Sequence, residues 1–246
     1  MRRNYFMKSI SIIFMLLAML FSCQPVSEDT DSGNSNSNNT SQGGNNDSDN
    51  TGNQNGENTG GGNGVGYIAY SDGTISAEYN SAKTAVGVVI EATGGVATKI
   101  VSLTETTAEW SIEEVDTNAT SETDGMANLR AIQSIDGWEN KYPAFKWCDD
   151  YADESGNSEW YLPAKDELNL IYKAKDVINT AIEKITAGGG TATNLSTDWY
   201  WSSSENNSYE YVSWNQRFSD GLQSNYGGYF GYNKDDPFSV RAVRAF

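Results

Sequence analysis

The sequence predicts an α+β domain, on three observations. Two hairpin patterns come first, between Tyr67 and Leu103; helical periodicity follows, from Asp124 to Ile182; and a turn-rich stretch framed by strand-like runs closes the chain, from Trp199 to Phe246. In the first hairpin, Tyr67 to Ser71 and Thr74 to Tyr79 flank the tight-turn pair Asp72-Gly73. In the second, Ala85 to Glu91 and Val96 to Leu103 flank Thr93-Gly94-Gly95.

Helical spacing then appears in Asp124 to Ile135, through Met126, Leu129, Ile132 and Ile135, and in Lys141 to Tyr151. The strongest helix opens at Pro163, places Asp166 and Glu167 at its positive amino end, and runs through Leu168, Ile171, Tyr172, Val177, Ile178 and Ile182. Ala187-Gly188-Gly189-Gly190 ends it. Cys148 lies in an aromatic helical pattern, which predicts a buried, unreactive thiol.

The closing stretch has a fixed frame. Trp199 to Ser203 and Phe238 to Phe246 alternate with the strand period of two, and Trp201, Trp214, Phe218, Val240 and Val243 are expected in the core. Trp214 and Phe218, four apart, are expected on one strand face, with Asp220-Gly221 turning the chain. Arg241 and Arg244 interrupt the last run, so each points away from the core or is paired. Between the frames the filling is rings and turns: Tyr209, Tyr211, Arg217, Asp220, Leu222, Ser224, Tyr226, Tyr229, Phe230 and Tyr232. Such a composition suits a binding surface, where rings supply contact area at low entropy cost and small residues supply adaptable hydrogen bonds. These ten are the candidate ligand-binding residues.

Four motifs in order carry a resemblance: Tyr161-Leu162-Pro163-Ala164 before a helix; Tyr200-Trp201-Ser202-Ser203-Ser204-Glu205; Trp214 with Phe218 and Gly221; and Val240-Arg241-Ala242-Val243-Arg244. Residues 124–246 resemble the domain family first described at the end of a Legionella collagen-like adhesin. The resemblance implies a C-type-lectin-like fold and display on a bacterial surface, with residues 65–123 as a β-rich amino-terminal part of the same 65–246 domain. Gln216 departs from the family, whose members usually carry an apolar residue there.

The amino end is expected to be an export signal over residues 1–22: Arg2, Arg3 and Lys8 precede an apolar run, Ile10 to Phe21, too short for a comfortable span of roughly 20 residues. Leu20-Phe21-Ser22-Cys23 resembles a bacterial lipobox, which makes Cys23 the lipidation site and the membrane a partner through acyl chains. Residues 23–64 are Asn, Ser, Gly and Thr with almost nothing apolar, the composition of a disordered tether. Its flexible-coil reach is about 35 Å, from ~5.5 Å times the square root of its length. The expected location is the cell envelope, at the outer membrane or cell surface.

Charge and missing residue types exclude function classes. Loss of Arg2, Arg3 and Lys8 with the signal takes the formal charge from −17 to −20, which opposes binding to nucleic acid. Histidine is absent, which removes the commonest general base and metal ligand together. With Cys23 acylated, Cys148 has no second cysteine, which disfavours an enzyme like the formylglycine-generating group, whose fold is related. Asp149-Asp150 with Asp153-Glu154, and Asp235-Asp236, read as solvated surface charge rather than calcium ligands. No catalytic residue, metal or cofactor is expected. The expected partner is an extracellular or envelope protein or glycan. Two alternatives stay open: a structural envelope protein, and a receptor diversified by a retroelement that mutates adenines in Asn codons. The ten candidates are residue types such codons can reach, whereas Trp214, Gln216 and Gln223 are not.

Overall fold

The computed structural model describes residues 64–153, 155–227 and 232–246, all within the compact unit Gln54–Phe246. The signal, Cys23 and the tether through residue 63 lie outside the described residues, as do Glu154, Tyr229 and Phe230. Among the described residues no helix is long and apolar enough to cross a membrane.

Among the described residues the fold is α+β, with two five-stranded sheets and four α-helices. Both predicted hairpins form, β1 (Ile68–Tyr70) with β2 (Ile75–Ser76), and β3 (Ala85–Thr93) with β4 (Val96–Val101). A short β5 (Thr106–Ala108), not anticipated from the sequence, leads to helices α1 (Gly125–Gln133) and α2 (Pro143–Asp150). Asp124 caps α1, its Oδ1 accepting from Ala127 N at 2.9 Å, while Leu129 and Ile132 bury the inner face. After α3 (Lys165–Lys173) and α4 (Lys175–Ala187) come β6 (Trp199–Glu205), β7 (Ser213–Arg217), β8 (Gln223–Ser224), β9 (Phe238–Val240) and β10 (Val243–Ala245). Sheet order is β10-β4-β3-β1-β2 in the first sheet and β5-β9-β6-β7-β8 in the second. All named pairs are antiparallel except β6 with β9.

Several expectations are corrected. The single helix from Pro163 is two, broken at Ala174, whose amide closes α3 onto Leu170 O and Ile171 O at 3.1 and 3.2 Å. Both sheets are covered from here: α3 lies on β6 and β7 and also meets β3, and α4 lies on β3. The closing run Phe238 to Phe246 is likewise two strands, β9 in the second sheet and β10 in the first, with Arg241-Ala242 between them. Early and late parts of the chain therefore interleave, since β5 joins the late sheet and β10 the early one. Trp214 is the third correction and belongs with the site below.

The core is contiguous across both sheets. Trp110, Tyr142 and Phe145 meet edge to face at 4.9 to 6.3 Å between centroids, each such pair contributing about 0.5–1.5 kcal/mol beyond burial. Cys148 is fully buried as expected, and burial pushes its thiol well above the ordinary cysteine range. Trp201, Phe218, Val240 and Val243 are core as expected.

Arg241 and Arg244 are paired rather than turned outward, and both are buried. Arg244 binds Asp153 Oδ2 at 3.2 Å and is held between the rings of Trp160 and Phe246 at 5.1 and 5.7 Å. Asp153 is thus not solvated surface charge: its carboxylate is 1% exposed, and Arg244 is the reason it can be.

Candidate ligand-binding surface

The surface is built on the second sheet. Alternation along β6 sends Tyr200 inward, its ring 4.1 Å from that of Phe218, and sends Trp199 and Trp201 to the opposite face. There Phe238 lies 4.5 Å from Trp201 and stacks on Trp199 at 6.1 Å, and Tyr232 closes the group at 4.9 Å from Trp199 and 5.0 Å from Phe238. Trp201 is locked by its indole N–H, which donates to Asp236 O at 3.1 Å. A cleft of about 260 Å³ opens beside Trp199 and Phe238, walled by Thr107, Asp198, Pro237 and Ser239. A larger cleft, about 520 Å³, lies apart from these loops, between the turns of the first sheet and Arg244 and Phe246.

Register places Arg217 opposite Trp199, with its guanidinium over the indole at 5.2 Å. Asp220 accepts from Arg217 Nε at 3.0 Å, and from its Nη2 as well, while Asp220 Oδ1 also takes Leu222 N at 3.2 Å. Hydrogen bonding to Arg217 lowers the Asp220 pKa to about 2, so the pair is fully ionised at neutral pH. The predicted turn follows: Gly221 has φ +81°, and a Cβ there would strike the Tyr172 ring at 2.3 Å. Both facts require glycine.

Gln216, the departure from the family pattern, is fully buried and polar for a reason. Its amide N–H group reaches Asn169 Oδ1 in α3 at 3.1 Å and Gly221 O at 3.2 Å, tying strand, helix and turn. Trp214 was expected in the core beside Phe218, but it is only half-buried, and Phe218 lies beyond the end of β7. The helix covering that face begins at Lys165, whose Nζ lies 4.2 Å above the Trp214 indole. Gln223 is held by the same helix end, donating to Lys165 O at 3.1 Å.

The predicted residues fall into two groups. Arg217, Asp220, Leu222 and Tyr232 gather around Trp199, and Tyr226 joins them through its carbonyl, which accepts from Tyr232 N at 3.1 Å. Ser224 lies in β8 and caps the following turn, its Oγ accepting from Tyr226 N at 3.3 Å. Tyr209 and Tyr211 form a second patch, rings 5.7 Å apart, joined to the first where Asn206 Nδ2 donates to Asn225 O at 2.9 Å. Tyr226, Tyr209 and Leu222 are 66%, 54% and 50% exposed, a range that Val96 and Ile112 share elsewhere on the domain, so it is their grouping in these loops that marks a surface. Placement of Tyr229 and Phe230 lies outside the described residues.

Trp199 and Phe238 belong to this surface, and the strand period alone does not mark them: Trp199 and Trp201 share a face of β6, yet Trp199 at the strand's start is half-buried while Trp201 is fully buried. A second omission is the base of the loops. Glu205 ends β6, Lys234 lies four residues before the start of β9, and the two form an ion pair with side chains 2% and 0% exposed. A lone lysine beside Asp235 and Asp236 reads as surface charge, and nothing local marks it as buried. Asp235 is exposed as expected, while Asp236 is half-buried and accepts from Asn233 N at 2.8 Å. Among the described residues no group of three or more Cys, Asp and Glu is placed to hold a metal ion.

No protein-family model matches the chain, and no curated protein is significantly similar to it.

Proposed function

We propose that the chain is a lipoprotein, anchored in the cell envelope through Cys23, whose 65–246 domain has a C-type-lectin-like fold and binds a macromolecular ligand, protein or glycan, without catalysing a reaction. The observation that carries this reading is the contrast between frame and filling. Strands and α3 fix the backbone through buried contacts at Gln216, Trp201 and Glu205, while Tyr209, Leu222 and Tyr226 project from the loops between them at half exposure or more. Rigid presentation of exposed rings lowers the entropy cost of association. Arrays of glycans and envelope proteins probed with the mature chain, beside the variant Tyr209→Ala/Leu222→Ala/Tyr226→Ala, test it. The variant is expected to lose at least about tenfold in apparent affinity with its melting temperature unchanged, since it removes exposed anchors only. Equal binding by both proteins would sink the assignment.

One observation favours the diversified-receptor version of this reading. Three residues that adenine changes in an Asn codon cannot produce are held by one helix: Gln216 by Asn169, Gln223 by Lys165 O, and Trp214 beneath Lys165 Nζ. These three carry frame contacts, whereas the candidates Tyr209, Leu222 and Tyr226 are exposed. That version requires a near-copy of the 3′ coding sequence beside a reverse transcriptase gene, differing mainly at adenines; without one it fails and plain ligand binding remains.

A further inference from the structure

The ion pair at the base of the loops is arranged as a reactive pair. Lys234 Nζ donates to Glu205 Oε1, donates to Val115 O at 2.8 Å, and sits 4.7 Å above the Trp110 ring. The other carboxylate oxygen, Oε2, accepts from Thr117 N at 2.8 Å and from Thr117 Oγ1 at 2.9 Å. An amine therefore faces a carboxyl group whose far oxygen already carries two donors, and both side chains are buried almost completely. Those donors are where negative charge would develop if Nζ added to Cδ, which is the geometry of an oxyanion site. Holding the two groups in contact removes the entropy barrier that makes the same condensation slow between free side chains.

We propose that Lys234 Nζ and Glu205 Cδ become joined by an isopeptide bond in the folded protein. The step balances without a co-reactant. One proton of the ammonium passes to Oε1, giving amine and carboxylic acid; Nζ then attacks Cδ, and Oε2 takes the charge under the Thr117 donors. A second Nζ proton goes to Oε1, the Cδ–Oε1 bond breaks, and one water leaves. Nothing is oxidised or reduced. The remaining N–H keeps its bond to Val115 O, and the carbonyl keeps Thr117.

Two further observations fit this chemistry. Burial pushes the Lys234 pKa down despite Glu205 beside it, so the neutral amine is more accessible than for an ordinary lysine. An ion pair taken fully out of water recovers little net stability, whereas an amide carries no charge to desolvate. The product also has a structural logic. It would close residues 205–234 into a ring whose arc carries all ten candidate binding residues, in a domain where Cys148 is a free cysteine and supplies no disulfide. A cross-link at the loop base restricts the unfolded chain much as a disulfide does.

Tryptic mapping of the full chain purified from cells, wild type beside Lys234→Arg, decides the matter. Cleavage sites in the sequence give peptides 185–217, 218–234 and 235–241 when Lys234 is free. With the bond, cleavage after Lys234 is blocked, and the major species is 185–217 joined to 218–241, lighter by one water than the two summed. Fragmentation should place the link at Glu205 and Lys234. Lys234→Arg should show no joined peptide and no water loss. Free 218–234 as the major wild-type species would overturn the proposal on the wild type alone, whether or not the variant folds. Water loss that persists in Lys234→Arg would assign it to dehydration elsewhere, as at Asp220-Gly221, and would overturn it too.

Discussion

Replacing Glu167 by Ala is expected to cost the domain about 3 kcal/mol or more, read as a drop of about 1–2 M in the urea midpoint. Glu167 sits in the first turn of α3 with its side chain 5% exposed, and everything around it is a donor. It accepts from Ala164 N at 2.8 Å, Tyr161 Oη at 3.0 Å, Gly125 N at 3.1 Å and the Lys99 ammonium. One carboxylate therefore ties β4, the start of α1, the strand-to-helix loop and α3. Alanine leaves two backbone N–H groups and a phenol buried without an acceptor, each costing roughly 1–3 kcal/mol, while Lys99 is left without its partner. Glutamine should recover little, because its NH2 would face donors. Gly125 supports the same point: a Cβ there would meet Leu162 O at 2.5 Å and Glu167 Oε2 at 2.8 Å, so the junction has no room to rearrange. A midpoint within about 0.3 M of wild type would show that the cluster does not hold the fold.

The sequence already marked Glu167 as a helix-start acid, and that is a fair measure of what local pattern reveals. It shows elements and their caps, because hairpin turns such as Asp72-Gly73 and the cap at Asp124 act within a few residues. It does not show what those elements meet. The split of the last run at Arg241-Ala242 is set by the presence of two sheets, a fact that exists only in three dimensions. Trp214 was misplaced for the same reason: period-two alternation tells which face a residue takes, not how far the covering helix extends over it. At the candidate surface, composition pointed to loop residues of which Tyr209, Leu222 and Tyr226 are exposed, while Tyr211 and Tyr232 are half-buried. It could not select Trp199, which looks like frame until register places Arg217 over it, nor Lys234, whose partner Glu205 is far off in the chain and whose other contacts, Trp110 and Val115 O, come from another part altogether.

Arg241→Met should be at least as damaging as the loss of Glu167, at roughly 3–5 kcal/mol, because it breaks a buried charge network at the seam between the sheets. Arg241 is fully buried in the short joint between β9 and β10. Its guanidinium reaches Ser102 O at 2.8 Å, just past β4 in one sheet, and Glu105 Oε2 at 2.9 Å, just before β5 in the other. A third donor meets Thr193 O in the connection to β6. Glu105 Oε2 is shared with Tyr200, whose hydroxyl donates at 2.6 Å and itself accepts from Ser196 N at 2.8 Å. Methionine fills much of the volume yet leaves the Ser102 and Thr193 carbonyls without this donor and the Glu105 carboxylate with Tyr200 but no counter-charge, so packing alone cannot restore the site. Lysine keeps the charge, but its compact ammonium cannot span three acceptors held in a planar fork, and its stability should fall between wild type and methionine. The double variant Arg241→Met/Glu105→Gln should cost less than the two single changes added together, because the second removes the charge the first left stranded. Additive costs in that cycle, or a methionine variant within about 1 kcal/mol of wild type, would mean the seam is held by β9 and β10 packing and not by the arginine.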